Sequence, residues 1–107
     1  MDFNKLVKGC RDFQWDRGNR DKNKEKHNVT NDEGEEVFLN EPLFLFDDKV
    51  HSKNEKRYGA LGKTNKDRPL AIIFTIRNKQ IRIISARDMS HKDKKVYDQK
   101  NQKTASL

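Results

Sequence analysis

Apolar residues are not spread evenly along the 107-residue chain; they gather between 37 and 46 and again between 70 and 86. The strongest signal is LAIIFTI (70–76), which is followed after Arg77, Asn78 and Lys79 by QIRIISA (80–86). Both segments are apolar on both faces, the pattern of strands inside a sheet. Asn78–Lys79 has the length of a two-residue hairpin turn. Upstream, LFLFDD (43–48) reads as a strand and RYGALG (57–62) as the next strand of a meander. FQWD (13–16) sets Phe13 and Trp15 against polar neighbours, the period of a short half-buried strand. Asp16 is placed to cap a polar helix through RGNRDKNKEKH. Thr30, Asn31 or Asp32 would cap a short helix that buries Val37, Phe38 and Leu39 and is ended by Pro42. Ser90 and Asp93 form an S-x-x-D capping pattern opening a helix over about 91–102, with Val96 and Tyr97 for burial. The closing NQKTASL is expected to fray.

A turn at Asn78–Lys79 fixes the hairpin register. Arg77 pairs with Gln80, Thr75 with Arg82 and Ile73 with Ile84. Paired residues project to one face and side chains alternate along a strand. Arg77 and Arg82 therefore share a face with Thr75, while Phe74, Ile76, Ile81 and Ile83 fill the other. The apolar face takes the helices and the arginine face borders a groove. Arg87 falls just past the strand, where the chain turns toward the Ser90 helix. The expectation is one α+β domain over 1–107, ordered over about 10–98 with flexible termini. It has a small antiparallel sheet, N-terminal helices on one face and a C-terminal helix.

Composition bears on the partner more than on the fold. Charged residues make up 38% of the chain and hydrophobic ones only 32%, close to the disordered regime, but their clustering favours a folded core. Lys and Arg number 24 against 17 Asp and Glu, a formal charge of +7 that suits a polyanion or an acidic protein. The lone Cys10 excludes an intramolecular disulfide and has no CxxC spacing. The opening MDFNKLVKG lacks the apolar core of a signal peptide, and no apolar run is long enough to cross a bilayer. A soluble, cytoplasmic chain is expected.

Four blocks in order, FQWDxGNxxKNxxKHxV (13–29), EEVFxNxPL (35–43), HSxxExRYxALGxT (51–64) and FTIRxxxIRIISARDMSxKDxxxYD (74–98), resemble the BrnT toxins. The resemblance covers nearly the whole chain. It implies a RelE-like α+β fold and a ribonuclease toxin of a type II toxin–antitoxin pair that inhibits translation and growth. It also implies a BrnA-like ribbon-helix-helix antitoxin, in a 2:2 complex that touches operator DNA through the antitoxin. Many members carry lysine four residues after the tryptophan; here that position is Asn19.

A metal-independent ribonuclease needs a base for the 2′-hydroxyl, cations for the phosphorane and an acid for the leaving 5′-oxygen. Arginine suits the second task because its planar fork binds phosphate oxygens in pairs. Arg77, Arg82, Arg87 and Arg57 are the candidates, with Arg87 first because SAR ends a strand where the family match is tightest. His51 and Glu55, in the HSKNE loop, are the candidates for proton transfer. Lys26, His27, Tyr58, Lys94 and Lys95 are candidate RNA contacts, although His27 also suits a helix C-terminus and Trp15 and Tyr58 suit a core. The three histidines have no metal-ligand spacing, and no cofactor is expected. The rival readings are a non-catalytic nucleic-acid-binding or antitoxin-binding module, separated by RNA retention without cleavage, and a pure protein-interaction subunit, which would do neither.

Overall fold

The computed structural model describes residues 3–10 and 12–105. A helix α1 (Phe3–Lys8) and a two-residue strand β1 (Asp12–Phe13) open the fold. Helices α2 (Lys22–His27) and α3 (Asn31–Leu39) follow, then strands β2 (Phe44–Asp47), β3 (Tyr58–Lys63), β4 (Pro69–Arg77) and β5 (Gln80–Asp88). Helix α4 (His91–Ala105) closes it. The sheet order is β1-β5-β4-β3-β2. β2 to β5 form the expected antiparallel meander, and β1 adds to β5 in parallel. The α+β class is as expected, with a five-stranded, mostly antiparallel sheet.

Local signals account for most elements. Thr30 is the N-cap of α3: its hydroxyl accepts from Glu33 N–H at 3.1 Å, and the Glu33 carboxylate accepts the Thr30 N–H at 3.0 Å. Ser90 and Asp93 exchange the same two bonds at the start of α4, at 3.1 and 3.0 Å. Asn78 and Lys79 both have positive φ, 53° and 60°, as a type I′ turn demands. One face of the sheet carries the larger core, in which the Phe13, Phe38, Phe74 and Tyr58 rings follow one another at 5.6, 5.0 and 5.5 Å.

Several expectations are corrected. Asp16 caps no helix; residues 17–21 form turns, and Asp21 precedes α2. Leu39 is 75% exposed at the end of α3, and Val96 faces outward, so each helix is held by fewer apolar residues than expected. α4 runs through Ala105, beyond the expected stop, while Met1, Asp2, Ser106 and Leu107, where fraying was also expected, lie outside the described residues. The arginine face is not left free of helices. Phe44, Leu61 and Ala71 share a row on it, and Tyr97 and Met89 cover that row and bring α4 down.

The register bears directly on function. Arg77 pairs with Gln80 and Thr75 with Arg82, as expected, but Ile73 pairs with Ser85 and not with Ile84. A β-bulge opposite Ile73 and Phe74 leaves Ile84 as the extra residue of β5. Two strands that are apolar on both faces tolerate such a slip, because neither phase exposes a polar face to the core. Beyond the bulge Arg87 is a strand residue opposite Ala71. Strict alternation would set residues 82 and 87 on opposite faces; the bulge shifts the phase by one and puts Arg77, Arg82 and Arg87 on the same face.

Candidate active site

At the end of this face where β4 stops, the loop between β2 and β3 folds over the sheet and encloses an open cavity of about 690 Å³. Val50, His51, Lys53, Asn54, Glu55, Arg57 and Arg77 line it. Ser52 shapes the loop: its hydroxyl donates to Asp48 O at 2.6 Å and accepts the Arg57 N–H at 2.9 Å. Thr75, on the arginine face, donates to Lys56 O at 2.7 Å. The loop is therefore tied to β4 as well as to itself.

Four of the six expected catalytic residues meet here. His51 Nδ1 lies 2.6 Å from Asp48 Oδ2, and the buried Asp48 also accepts the His51 N–H through Oδ1 at 3.3 Å. With the carboxylate accepting, Nδ1 is the donor of this contact, and in the neutral ring Nε2 then carries the lone pair. The His51 side chain is 55% exposed, so that lone pair is accessible. Arg77 binds Glu55 through two bonds, Nε to Oε2 at 2.6 Å and Nη2 to Oε1 at 2.9 Å. The bond from Arg77, helped by the charges of Arg77, Arg57 and Arg82, holds the Glu55 carboxyl below its usual range. Glu55 is thus an anion in a basic cluster. Among the described residues, the Arg57 guanidinium makes no ion pair within 4 Å and is half-buried beside the cavity.

The other two arginines stand apart. Arg82 is buried under the N-terminal loop, where Asp16 takes Nη1 and Nη2 at 2.9 and 3.0 Å. Arg87 is at the α4 end, roughly 13 Å along β5 from Arg82 at strand rise; its Nη1 donates to Asp93 Oδ2 at 2.8 Å and to Asp88 O at 3.0 Å. Arg87 does not line the cavity. Of the expected RNA contacts, Lys94 and Lys95 are exposed on α4, and Lys26 and His27 are exposed at the end of α2. Tyr58 is buried with its ring on Phe74, so no base can stack there. Trp15 packs at the core edge and donates to Glu35 at 2.7 Å.

Sequence reasoning missed the anionic partners and two asparagines. Asn19 is buried; its side chain donates to Gln14 O at 2.9 Å and Ile83 O at 3.1 Å and accepts the Asp16 N–H at 2.9 Å. Asn23, also buried, accepts the Ala86 N–H at 3.0 Å. These two side chains satisfy the edge of β5 beyond the short β1. The signal was the pair of buried-type asparagines in GNxxKN, which reads as ordinary polar loop. Among the described residues no group of three or more His, Cys, Asp or Glu could hold a metal ion, and no helix is long and apolar enough to cross a membrane.

Residues 15–93 match the family model described as ribonuclease toxin, BrnT, of type II toxin–antitoxin system. The chain belongs to the BrnT family. No curated protein matches it. A BrnT toxin has an RNA substrate and an antitoxin partner, and the match contains the whole β2–β3 loop, the hairpin and the start of α4.

Proposed function

We propose that the cavity under the β2–β3 loop is a metal-independent endoribonuclease centre, with His51 as the general base. The observation that carries the reading is the 2.6 Å contact between His51 Nδ1 and the buried Asp48, at the rim of a cavity also lined by Arg57 and Arg77. A carboxylate on Nδ1 fixes the orientation of the ring and its tautomer, which leaves Nε2 to take a proton. Nε2 takes the 2′-hydroxyl proton; the 2′-oxygen attacks phosphorus and the bond to the 5′-oxygen breaks. The imidazolium so formed holds a proton for that leaving oxygen. The products are a 2′,3′-cyclic phosphate and a 5′-hydroxyl. Arg57 and Arg77 face the negative charge that grows on the phosphorane, with Arg77 steadied by Glu55. Arg82 supports the sheet beneath, and Arg87, Lys94 and Lys95 extend the cationic face for flanking phosphates.

Cleavage of cellular RNA in the cytoplasm would stop translation and growth. The partner is a BrnA-like ribbon-helix-helix antitoxin that covers this face in a 2:2 complex and carries it to operator DNA. Purified protein incubated with RNA, with and without chelator, tests the centre. Cleavage that persists in chelator and falls by about 10²–10⁴ in His51→Ala is the expected result. Undiminished cleavage by folded His51→Ala would remove His51 from the site, and RNA retention without cleavage would favour the binding-module reading.

A further inference from the structure

Phe46 is a large apolar side chain on the arginine face that nothing in the core requires. It is 42% exposed, and its register partner across β2 and β3 is Gly59. The ring occupies the volume in which a Gly59 side chain would stand: an added Cβ there would lie 2.1 Å from Phe46 Cζ and 2.2 Å from Cε2. Any residue other than glycine at 59 would push the ring away. The ring thus leans over the sheet with part of its surface open.

Its position in the rows of that face gives the opening a meaning. One row along the sheet, Phe44, Leu61 and Ala71 are covered by α4, with the Phe44 and Tyr97 rings 5.3 Å apart. One row the other way lie Arg57, which lines the cavity, and the Thr75–Arg82 pair. Phe46, Gly59, Ile73 and Ser85 form the row left between α4 and the β2–β3 loop. Arg57 precedes Gly59 by two residues, roughly 7 Å at strand rise, which is about the reach from a phosphate to its own or a neighbouring base. An open ring one step from a cation aimed at phosphate matches how single-stranded nucleic acid is held: cations track the backbone and aromatic faces take the bases.

Resting on the ribonuclease reading above, we infer that Phe46 is the platform on which a nucleobase beside the scissile phosphate stacks, with Gly59 as the residue that makes room for it. A π-face takes any base, so Phe46 sets the position of the RNA more than its sequence.

A six-nucleotide 2′-O-methyl RNA containing 2-aminopurine cannot be cleaved and reports stacking through its fluorescence. Wild-type protein should bind it and quench it. Phe46→Leu keeps the apolar cover but should weaken binding by about ten-fold and abolish the quenching at saturation. Phe46→Tyr and Phe46→Trp should keep both, and Phe46→Met replaces the leucine variant if circular dichroism shows that variant unfolded. Equal binding and quenching by Phe46→Leu and wild type overturns the inference, as does absence of quenching by the wild type. So does a leucine variant that binds the RNA normally and loses only its antitoxin. Separate assay of cleavage keeps the two readings apart: a wild type that cleaves RNA while position 46 is indifferent sinks the stacking platform alone.

Discussion

Both oxygens of the Asp16 carboxylate meet the guanidinium of Arg82, at 2.9 and 3.0 Å, and Gly18 N–H donates to the same carboxylate at 2.8 Å. A Cβ on Gly18 would approach Arg82 Nη2 to 2.6 Å, so the loop turns directly over the cation. Arg82 is therefore a structural clasp between the N-terminal loop and β5. Arg82→Ala should lower the stability of the fold, since a charge-assisted pair to a buried guanidinium is lost, although Asn19 and Asn23 also tie this segment to β5. Urea denaturation reads the change. An unaltered midpoint in Arg82→Ala would return Arg82 to the list of groups free to act on substrate.

Arg57 and Arg87 should separate by kinetics. Arg57 lines the cavity and, among the described residues, makes no ion pair within 4 Å, whereas Arg87 is roughly two strand rows away and shares Asp93 with the α4 cap. Arg57→Ala should lower kcat with little change in KM, and Arg87→Ala should raise KM and salt sensitivity with a smaller change in kcat. Circular dichroism should show both folded. A loss confined to kcat in Arg87→Ala would place that arginine at the reacting phosphate.

Asn19 tests whether the position is structural here. Its amide makes two donor bonds and one acceptor bond in a buried site. Asn19→Ala leaves Ile83 O, Gln14 O and Asp16 N–H without these partners and should destabilise by about 2–3 kcal/mol, with a lower melting temperature. Cleavage per folded molecule should stay near wild type. A stable Asn19→Ala protein with no activity would show that the residue belongs to the chemistry.

Acid should loosen the same clasps. Bonds from Arg68, Arg77 and Arg82 hold Asp88, Glu55 and Asp16 below the usual carboxylate range, and the Thr30 N–H, then Arg68, does so for Glu33. Burial pushes Asp93 up, but the Ser90 and Arg87 bonds outweigh it and the net shift is downward. A depressed carboxyl contributes stability that is present above its unfolded pKa and lost as pH falls through the folded value. Stability should be level from neutral pH to about 5 and should drop below about 4, where these groups protonate. The drop is modest per pair, because the carboxylates are largely solvent-screened. Melting temperature against pH, in wild type and Glu55→Gln, measures it, and a flat curve down to pH 3 would contradict the pairing.

The residue pattern along the chain was enough for the elements whose cause is local. The two positive-φ residues Asn78 and Lys79 set the hairpin, hence the Arg77–Gln80 and Thr75–Arg82 pairs. Thr30 with Glu33, and Ser90 with Asp93, set two helix starts through bonds between residues three apart. It also marked His51, Glu55, Arg57 and Arg77, which the β2–β3 loop brings to one cavity. The rest depended on contacts between distant segments. The bulge at Ile84 aligns Arg87 with Arg82, and nothing in IRIISAR distinguishes the two phases, because both faces of the strand are apolar. Which carboxylate neutralises which arginine depends on segments tens of residues apart, as with Asp16 and Arg82. Tyr58 went into the core and Phe46 to the surface because pleat alternation and the placement of α4, not residue type, choose which aromatic remains uncovered.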